Sequence, residues 1–191
     1  MKCAQRNWSL LLFSCLGINL GLMGSAHAAP KLIEACEACH STNMVSQVPS
    51  YPILHGQKQG YLEKQLEAFR DGTRENPMMA GLVQNLSDSD ITELAQHYSQ
   101  QTFVKEAKQA SDRRGADVRA RCVSCHGLSG NTVNTEWPNL LGQNHDYIFN
   151  QLNKFASGER KSVIMEQIAN ELTLEQRKQV ALYYDQQGRT Q

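Results

Sequence analysis

The sequence contains an internal repeat that spans most of the chain. Residues 36–101 align with residues 122–187 at a constant offset of 86 positions without a gap, and 19 of those 66 positions hold the same amino acid. Such self-similarity predicts that one structural unit occurs twice. A unit of ~70 residues seldom buries enough apolar surface to be stable alone, so we expect each copy to need a crosslink or a cofactor.

Each copy shows helical periodicity, and no alternating strand pattern competes with it. Apolar and aromatic residues recur on one side of a helix in both copies, and each series ends just before a glycine, the usual residue past a helix end. These residues are Tyr61, Leu62, Leu66 and Phe69 before Gly72, and Tyr147, Ile148, Leu152 and Phe155 before Gly158. A later helix in each copy begins with a predicted capping pair, Ser87 with Asp90 and Thr173 with Gln176. The sequence therefore predicts an all-α fold.

The N-terminal segment, residues 1–28, has the layout of a secretory signal peptide. Two basic residues precede an apolar run from about Leu10 to Met23, and small residues then lead to Ala28. An uncleaved membrane anchor is the alternative, but the run is interrupted by Asn19 and is shorter than the ~20 apolar residues that a spanning helix needs. We therefore expect cleavage after Ala28 and a periplasmic protein.

Four of the six cysteines follow the predicted cleavage site, and they form two pairs of equal spacing. The pairs are Cys36 with Cys39 and Cys122 with Cys125, followed directly by His40 and His126. The motif C-x-x-C-H is typical of c-type haem attachment, where the thiols bond the porphyrin and the histidine binds the iron. A four-cysteine zinc site would place its pairs ~15–20 residues apart, whereas 82 residues separate these pairs. A thioredoxin-like redox pair needs a strand and helix context that is absent, so we predict two covalent haem c groups.

The repeat also restricts which residue can be the second axial ligand of each iron. Met79 and Met165 align with each other, and each lies 43 residues after the first haem cysteine of its copy. The other histidines after residue 28, which are His55, His97 and His145, have no histidine at the matching position. Ligation by histidine and methionine is established in cytochromes c, and the alternative is that both methionines are packing residues. Met78 aligns with Ile164, and we expect it to be apolar packing.

These motifs resemble the class I c-type cytochromes, and their gapless doubling resembles the dihaem cytochrome c4 family. The shared pattern is C-x-x-C-H, then YPILHGQ or WPNLLGQ, a helix near a tyrosine, G-x-R, the repeated methionine and a capped terminal helix. The resemblance implies two tandem class I cytochrome c domains, each wrapped around one covalent haem. The predicted domains are residues 29–102 and 111–191, joined by a linker at 103–110.

The resemblance also implies roles for other residues near each haem. Pro52 and Pro138 would each present a backbone carbonyl to the ring nitrogen of the motif histidine, which fixes its orientation and raises its basicity. Contacts with the haem propionates are implied for Gln57, Tyr61 and Arg74, and for Gln143, Tyr147 and Arg160. The alternative for these residues is that they are exposed polar side chains on helices.

The function implied by the resemblance is one-electron transfer, without a small-molecule substrate and without enzymatic activity of the chain itself. Redox proteins would be the partners, with electrons passing from a quinol-oxidising complex to a terminal oxidase and at most peripheral membrane association. One alternative is the dihaem electron-accepting subunit of a larger enzyme, such as a flavocytochrome sulfide dehydrogenase. A dihaem peroxidase is another, although the paired methionines argue against the open iron position that it needs.

The charge of the chain is divided unevenly between the two copies. Residues 30–101 carry 5 basic and 9 acidic residues, which gives −4, whereas residues 102–191 carry 12 and 10, which gives +2. Such a division could orient the molecule toward charged redox partners, and ordinary solvated surface charge is the alternative. Nothing in this pattern indicates nucleic-acid binding.

Overall fold

The computed structural model describes residues 29–108 and 114–188, and all of the following elements lie in those two ranges. The first copy contains α1 (Ala29–His40), α2 (Thr42–Gln47), α3 (Gln59–Arg70), α4 (Pro77–Val83) and α5 (Asp88–Gln100). The second copy contains α6 (Arg114–Val118), a short 3-10 helix (Arg119–Arg121), α7 (Val123–His126), α8 (His145–Ser157), α9 (Val163–Asn170) and α10 (Leu174–Gln186). These two ranges contain no β-strand, so the predicted all-α fold is confirmed.

Some predictions lie outside the described residues. They are the signal peptide at 1–28, the end of the linker at 109–110, and the start and end of the second domain at 111–113 and 189–191. Of the helices in 29–108 and 114–188, none has the length and apolar character needed to cross a membrane.

The predicted capping pairs define the starts of α5 and α10. The hydroxyl of Ser87 accepts the Asp90 N–H at 3.2 Å, and the Asp90 carboxylate accepts the Ser87 N–H at 2.9 Å. Thr173 and Gln176 make the same reciprocal bonds at 3.2 and 2.9 Å. Each pair satisfies backbone N–H groups that have no partner inside the helix, and so fixes where the terminal helix of each copy begins.

Each copy has its own apolar core, and a haem-motif cysteine borders each one. In the first copy α3 packs on α5, and in the second α8 packs on α10. The first core contains Leu62, Leu94, Ala95 and Tyr98 with Cys36 against it, and the second contains Leu152, Phe155, Val180 and Tyr184, among others, with Cys122 against it. The two separate cores agree with the prediction from the repeat that one structural unit occurs twice.

The copies differ directly after the haem-motif histidine. In the second copy Gly127 ends α7 with φ of +81°, and a Cβ at this position would collide with the carbonyl oxygen of Asn131. Glycine is therefore required there. In the first copy Ser41 holds the matching position, and the chain continues almost at once into α2. The chain thus leaves the haem motif by a different route in each copy.

The described part of the predicted linker is held against both copies. Phe103 is buried beside Ile53 of the first copy. The ammonium group of Lys105 lies 2.5 Å from the buried carboxylate of Asp185 in α10, and Lys108 pairs with the same carboxylate at 3.2 Å. Apolar contact on one side and ion pairs on the other therefore tie the two copies to one segment.

A pseudo-twofold interface joins the two copies. The Tyr61 N–H donates to the carbonyl of Thr135 at 2.9 Å, and the Tyr147 N–H donates to the carbonyl of Pro49 at 3.2 Å. Both donors and both acceptors are matching residues of the repeat, so one contact is the rotated copy of the other. Arg74 and Arg160, which also match, form an isolated antiparallel bridge with each other.

Candidate functional site

The predicted haem-binding cysteines lie at matching places in the two copies. Cys36 and Cys39 lie on α1. Cys122 is the N-cap residue of α7, and Cys125 lies within that helix. Within the described part of the chain none of the four is in a disulfide, and each is partly exposed. Residues three apart lie on one face of a helix, so both thiols of a pair can reach one ligand.

The zinc alternative finds no support in the structure. Within residues 29–108 and 114–188, no three histidine, cysteine, aspartate or glutamate side chains are grouped closely enough to hold a metal ion. The two thiol pairs, each with its own adjacent histidine, instead fit separate covalent attachment of two haem groups.

The motif histidines are buried, and a backbone carbonyl holds each ring. His40 Nδ1 lies 3.1 Å from the Pro52 carbonyl, and His126 Nδ1 lies 2.9 Å from the Pro138 carbonyl, which are the contacts implied by the resemblance. Since a carbonyl only accepts, Nδ1 carries the proton and the Nε2 lone pair remains for a metal. Burial lowers the pKa of both rings, which keeps them neutral and able to bind iron.

Met79 and Met165 occupy the same position in two short capped helices. The Asn76 side chain caps α4 and accepts the Met79 N–H at 3.2 Å. The Ser162 side chain caps α9 and accepts the Met165 N–H at 3.4 Å. Each methionine is therefore the third residue of its helix, and each is only partly buried.

The residue before each repeated methionine is exposed. Met78 is 57% exposed and Ile164 is 58% exposed. The expectation that Met78 is apolar packing is therefore wrong, since most of its side chain faces solvent. The distinction between Met78 and Met79 remains, because the two positions differ in burial in both copies.

Four of the six residues with implied propionate contacts lie in one hydrogen-bonded cluster at the interface, which we call the arginine cluster. Its members are Tyr61, Gln65, Arg74, Tyr147, Gln151 and Arg160. Arg160 donates to Gln151 at 2.8 Å, to the Tyr61 hydroxyl at 3.1 Å and to Gln65 at 2.7 Å. Arg74 makes the rotated set of bonds, to Gln65 at 2.8 Å, to the Tyr147 hydroxyl at 3.2 Å and to Gln151 at 2.8 Å.

The arginine cluster holds two positive charges without a carboxylate partner. Among the described residues, neither Arg74 nor Arg160 is within 4.0 Å of a carboxylate oxygen. Burial resists ionisation of both tyrosines and prevails at Tyr61, whose pKa is raised. At Tyr147 the two guanidinium charges outweigh burial and lower the pKa to about 8. The excess positive potential fits a group with carboxylates, as haem propionates have.

Gln57 and Gln143, which also have implied propionate contacts, bond the backbone of the opposite copy instead. The Gln143 amide accepts the Ile53 N–H at 2.9 Å and donates to the Ile53 carbonyl at 3.0 Å. The Gln57 amide makes the same two bonds with Asn139 at 2.7 and 3.0 Å. Both side chains are buried, with 4% and 3% exposure for Gln57 and Gln143.

Two buried tyrosine hydroxyl groups lie beside the cysteines of the haem motifs. Tyr98 lies next to Cys36, and Tyr184 lies next to Cys122. The hydroxyl oxygen of each tyrosine is buried and makes no hydrogen bond of ordinary geometry with the described residues. A buried hydroxyl without a partner is costly, so its recurrence in both copies fits a site that completes its contacts with a bound group.

The sequence analysis did not identify several interface residues, among them Gln65, Gln151 and Asn144. Gln65 and Gln151 are identical in the repeat, and this identity was a signal that could have identified them. Asn144 donates to the carbonyls of Val45 and Tyr51 at 2.8 and 2.9 Å. It aligns with a lysine, so the repeat gives no signal for it.

Comparisons with known proteins agree with this geometry. No protein-family model matches the chain. A cytochrome c4 of Pseudomonas aeruginosa is 35% identical over 184 residues, which cover 85% of this chain and 91% of the relative. The crystal structure of reduced recombinant cytochrome c4 from Pseudomonas stutzeri superposes with a TM-score of 0.76 at 28% identity, covering 86% of this chain and 99% of that chain. A thiosulfate dehydrogenase electron acceptor of Stutzerimonas stutzeri is 31% identical, covering 81% of this chain and 79% of the relative.

The duplicated helical fold and the paired C-x-x-C-H sites define a dihaem c-type cytochrome, with two covalently bound haem c groups. Such proteins carry electrons. At 35% identity over most of both chains, this protein belongs to the cytochrome c4 family, and the resemblance found in the sequence is confirmed.

Proposed function

We propose that this protein is a periplasmic one-electron carrier in which each iron is bound by a histidine and a methionine. His40 and Met79 would bind the first iron, and His126 and Met165 the second. The observation that carries this proposal is the matched placement of the two methionines, each the third residue of a short capped helix. Methionine sulfur as the second ligand favours electron transfer over catalysis, because it leaves no open iron position.

The chain would position and tune the haem groups, and the bound iron supplies the redox change. Cys36 and Cys39, like Cys122 and Cys125, would hold one haem each through covalent bonds to sulfur. The arginine cluster would place its positive charge against the propionates. We also propose the division into domains at 29–102 and 111–191, which is supported by the separate apolar cores.

The ligand assignment is tested by the charge-transfer band between iron and methionine sulfur in the oxidised spectrum. We expect Met79→Ala and Met165→Ala each to remove about half of this band, because each removes one of two equivalent sulfurs. Met78→Ala and Ile164→Ala are the matched controls, and they should leave the band intact. A band that survives both methionine variants would show that the ligands are other residues.

Export is tested by the N-terminus of the protein recovered from the periplasm. The proposal rests on the signal-peptide layout of residues 1–28. Cleavage after Ala28 gives a chain that begins at Ala29. Recovery of the uncleaved chain in the membrane fraction would instead support the anchor alternative.

A quinol-oxidising complex and a terminal oxidase are the proposed partners. The uneven charge, −4 over residues 30–101 and +2 over residues 102–191, supports recognition of charged redox proteins, since complementary charge speeds encounter. Stopped-flow reduction by the purified quinol-oxidising complex should be fast at low salt and slow markedly as salt rises. Reduction that is slow at every salt concentration would exclude this donor.

A second candidate is the electron acceptor of a sulfur-compound dehydrogenase. The similarity to a thiosulfate dehydrogenase electron acceptor favours it, and the same arrangement would suit a flavocytochrome sulfide dehydrogenase. This candidate predicts stable co-purification with a dehydrogenase and substrate-dependent reduction of both haems by that partner. A dihaem peroxidase would instead turn over peroxide rapidly, and both proposed methionine ligands oppose that outcome.

A further inference from the structure

The first motif histidine is bonded to a peptide group that the second copy also holds. His40 Nδ1 donates to the Pro52 carbonyl at 3.1 Å. The N–H of that same peptide belongs to Ile53, and it donates to Gln143 Oε1 at 2.9 Å. A single peptide unit therefore joins the histidine of one copy to a glutamine of the other.

The second motif histidine has the rotated arrangement. His126 Nδ1 donates to the Pro138 carbonyl at 2.9 Å, and the N–H of that peptide, which belongs to Asn139, donates to Gln57 Oε1 at 2.7 Å. Ile53 and Asn139 are only 1% and 2% exposed, so water does not compete for these bonds. The two linkages cross, since each histidine depends on the glutamine of the opposite copy.

Each glutamine is held in the orientation that this linkage needs. Gln143 Oε1 also accepts the N–H of Asn144 at 2.9 Å, and Gln57 Oε1 accepts the N–H of Lys58 at 2.9 Å. Both bonds come from the glutamine's own backbone neighbour, so they fix the amide oxygen whatever the other copy does. The arrangement is a preformed acceptor aimed at one peptide N–H of the opposite copy.

We propose that Gln143 tunes the reduction potential of the first haem and Gln57 that of the second, each acting across the domain interface as a positioning residue. When an N–H is bonded to an acceptor, the carbonyl of the same peptide becomes a stronger acceptor. The histidine Nδ1–H is then polarised more strongly, and its Nε2 becomes a better donor to iron. A better donor stabilises the oxidised iron, so each glutamine lowers the potential of the haem in the other copy.

The test is to replace each glutamine with methionine, which has a similar length and accepts hydrogen bonds only weakly. In the full-length protein with both haems, proton NMR at a series of fixed ambient potentials follows each haem separately, after assignment through contacts with its own domain. Gln143→Met should raise the reduced-to-oxidised ratio of the first haem about two- to fourfold, since cooperative strengthening is about 10–30% per bond. At about 59 mV per tenfold change, this is about 20 to 35 mV.

A second readout is the Nδ1 proton of each motif histidine in the reduced, diamagnetic protein. It should move upfield for His40 in Gln143→Met and for His126 in Gln57→Met, because the bond to the carbonyl weakens. The crossed pattern is the essential result: a substitution in one copy changes the haem of the other. Equal shifts of both haems, or a shift only of the haem in the substituted copy, would overturn the proposal.

Asn144→Leu is the matched control for loosening of the interface. It removes two side-chain bonds across the interface, a buried one to the Val45 carbonyl and a partly buried one to the Tyr51 carbonyl, but neither peptide bonds a motif histidine. We expect both haem potentials and both Nδ1 proton shifts to remain unchanged. If Asn144→Leu moves the first haem as far as Gln143→Met does, the effect comes from packing and the proposal fails.

Gln143→Leu serves if the methionine variant does not bind both haems. It removes the same acceptor of the Ile53 N–H, so the first haem should rise in potential and the His40 proton should move upfield. A downfield shift would contradict the proposal. The inference rests on the proposed ligation by His40 and His126, and the spectrum of the unaltered protein tests that ligation separately before any variant is compared.

Discussion

Replacement of Arg160 with methionine should open the interface between the two copies. Arg160 is 8% exposed, and two of its hydrogen bonds cross the interface, to the Tyr61 hydroxyl at 3.1 Å and to Gln65 at 2.7 Å. Hydrogen bonds from a charged group contribute about 1.5 to 3 kcal/mol each. Arg74 still donates to Gln65 in the variant, so part of this loss is offset. We therefore expect closure of the interface to weaken by about 2 to 3 kcal/mol, which is about a 30- to 150-fold change in the opening equilibrium.

Native-state hydrogen exchange measures this opening directly, because it reports local unfolding at single amides. The Tyr61 and Tyr147 amides donate across the interface to Thr135 and Pro49, so they exchange when the two copies separate. Their protection should fall in Arg160→Met by the same factor as the opening equilibrium changes. The Val180 amide lies in α10, within the core of the second copy, and its protection should change little.

The matched control is the exposed ion pair between Lys64 and Glu136. It also crosses the interface, at 2.6 Å, but its side chains are 53% and 55% exposed. Exposed pairs contribute about 0.2 to 1 kcal/mol, so Lys64→Ala should lower the protection of the interface amides by less than about fivefold. If Lys64→Ala and Arg160→Met lowered the protection of the interface amides equally, or if Arg160→Met did not lower it, burial would not determine how much each residue contributes to the interface.

Two more predictions concern buried or haem-proximal charges. Burial disfavours the charged Asp185 carboxylate, but the charges of Lys105 and Lys108 outweigh burial and lower the pKa of Asp185. The carboxylate therefore stabilises the folded state at pH values above its unfolded pKa of ~3.9, and this stabilisation is lost as the pH falls through the folded pKa. Asp185→Asn should therefore cost about 3 kcal/mol at pH 7 and flatten the acid limb of a denaturation curve, whereas an unchanged limb would exclude the ion pair as its cause. Glu37 lies on α1 one residue after a haem cysteine, where the second copy has an uncharged valine. Because a nearby negative charge favours oxidised iron, Glu37→Gln should raise the potential of the first haem in a redox titration, and a lower potential would contradict this sign.

The sequence predicted the features that recur at the same offset, for a physical reason. A haem needs two thiols and a histidine at fixed spacing wherever it is bound, so both copies retain these residues. The capping pairs were predictable because helix starts require local side-chain acceptors. The exposure of Met78 was not predictable, since an aligned isoleucine excludes a ligand but does not show whether the position faces the interior.

Contacts between the two copies could not be predicted from the repeat. The internal alignment shows which residues of the copies are equivalent, but it does not show how the copies pack against each other. A pseudo-twofold relation nevertheless adds an expectation: a contact across the interface between residues that are identical in both copies should occur twice, with matching partners exchanged. Gln57 with Gln143 and Gln65 with Gln151 meet this expectation, and all four are identical in the repeat outside the C-x-x-C-H motif. In this chain, identical amide residues outside that motif are therefore a sequence signal of the interface between the copies.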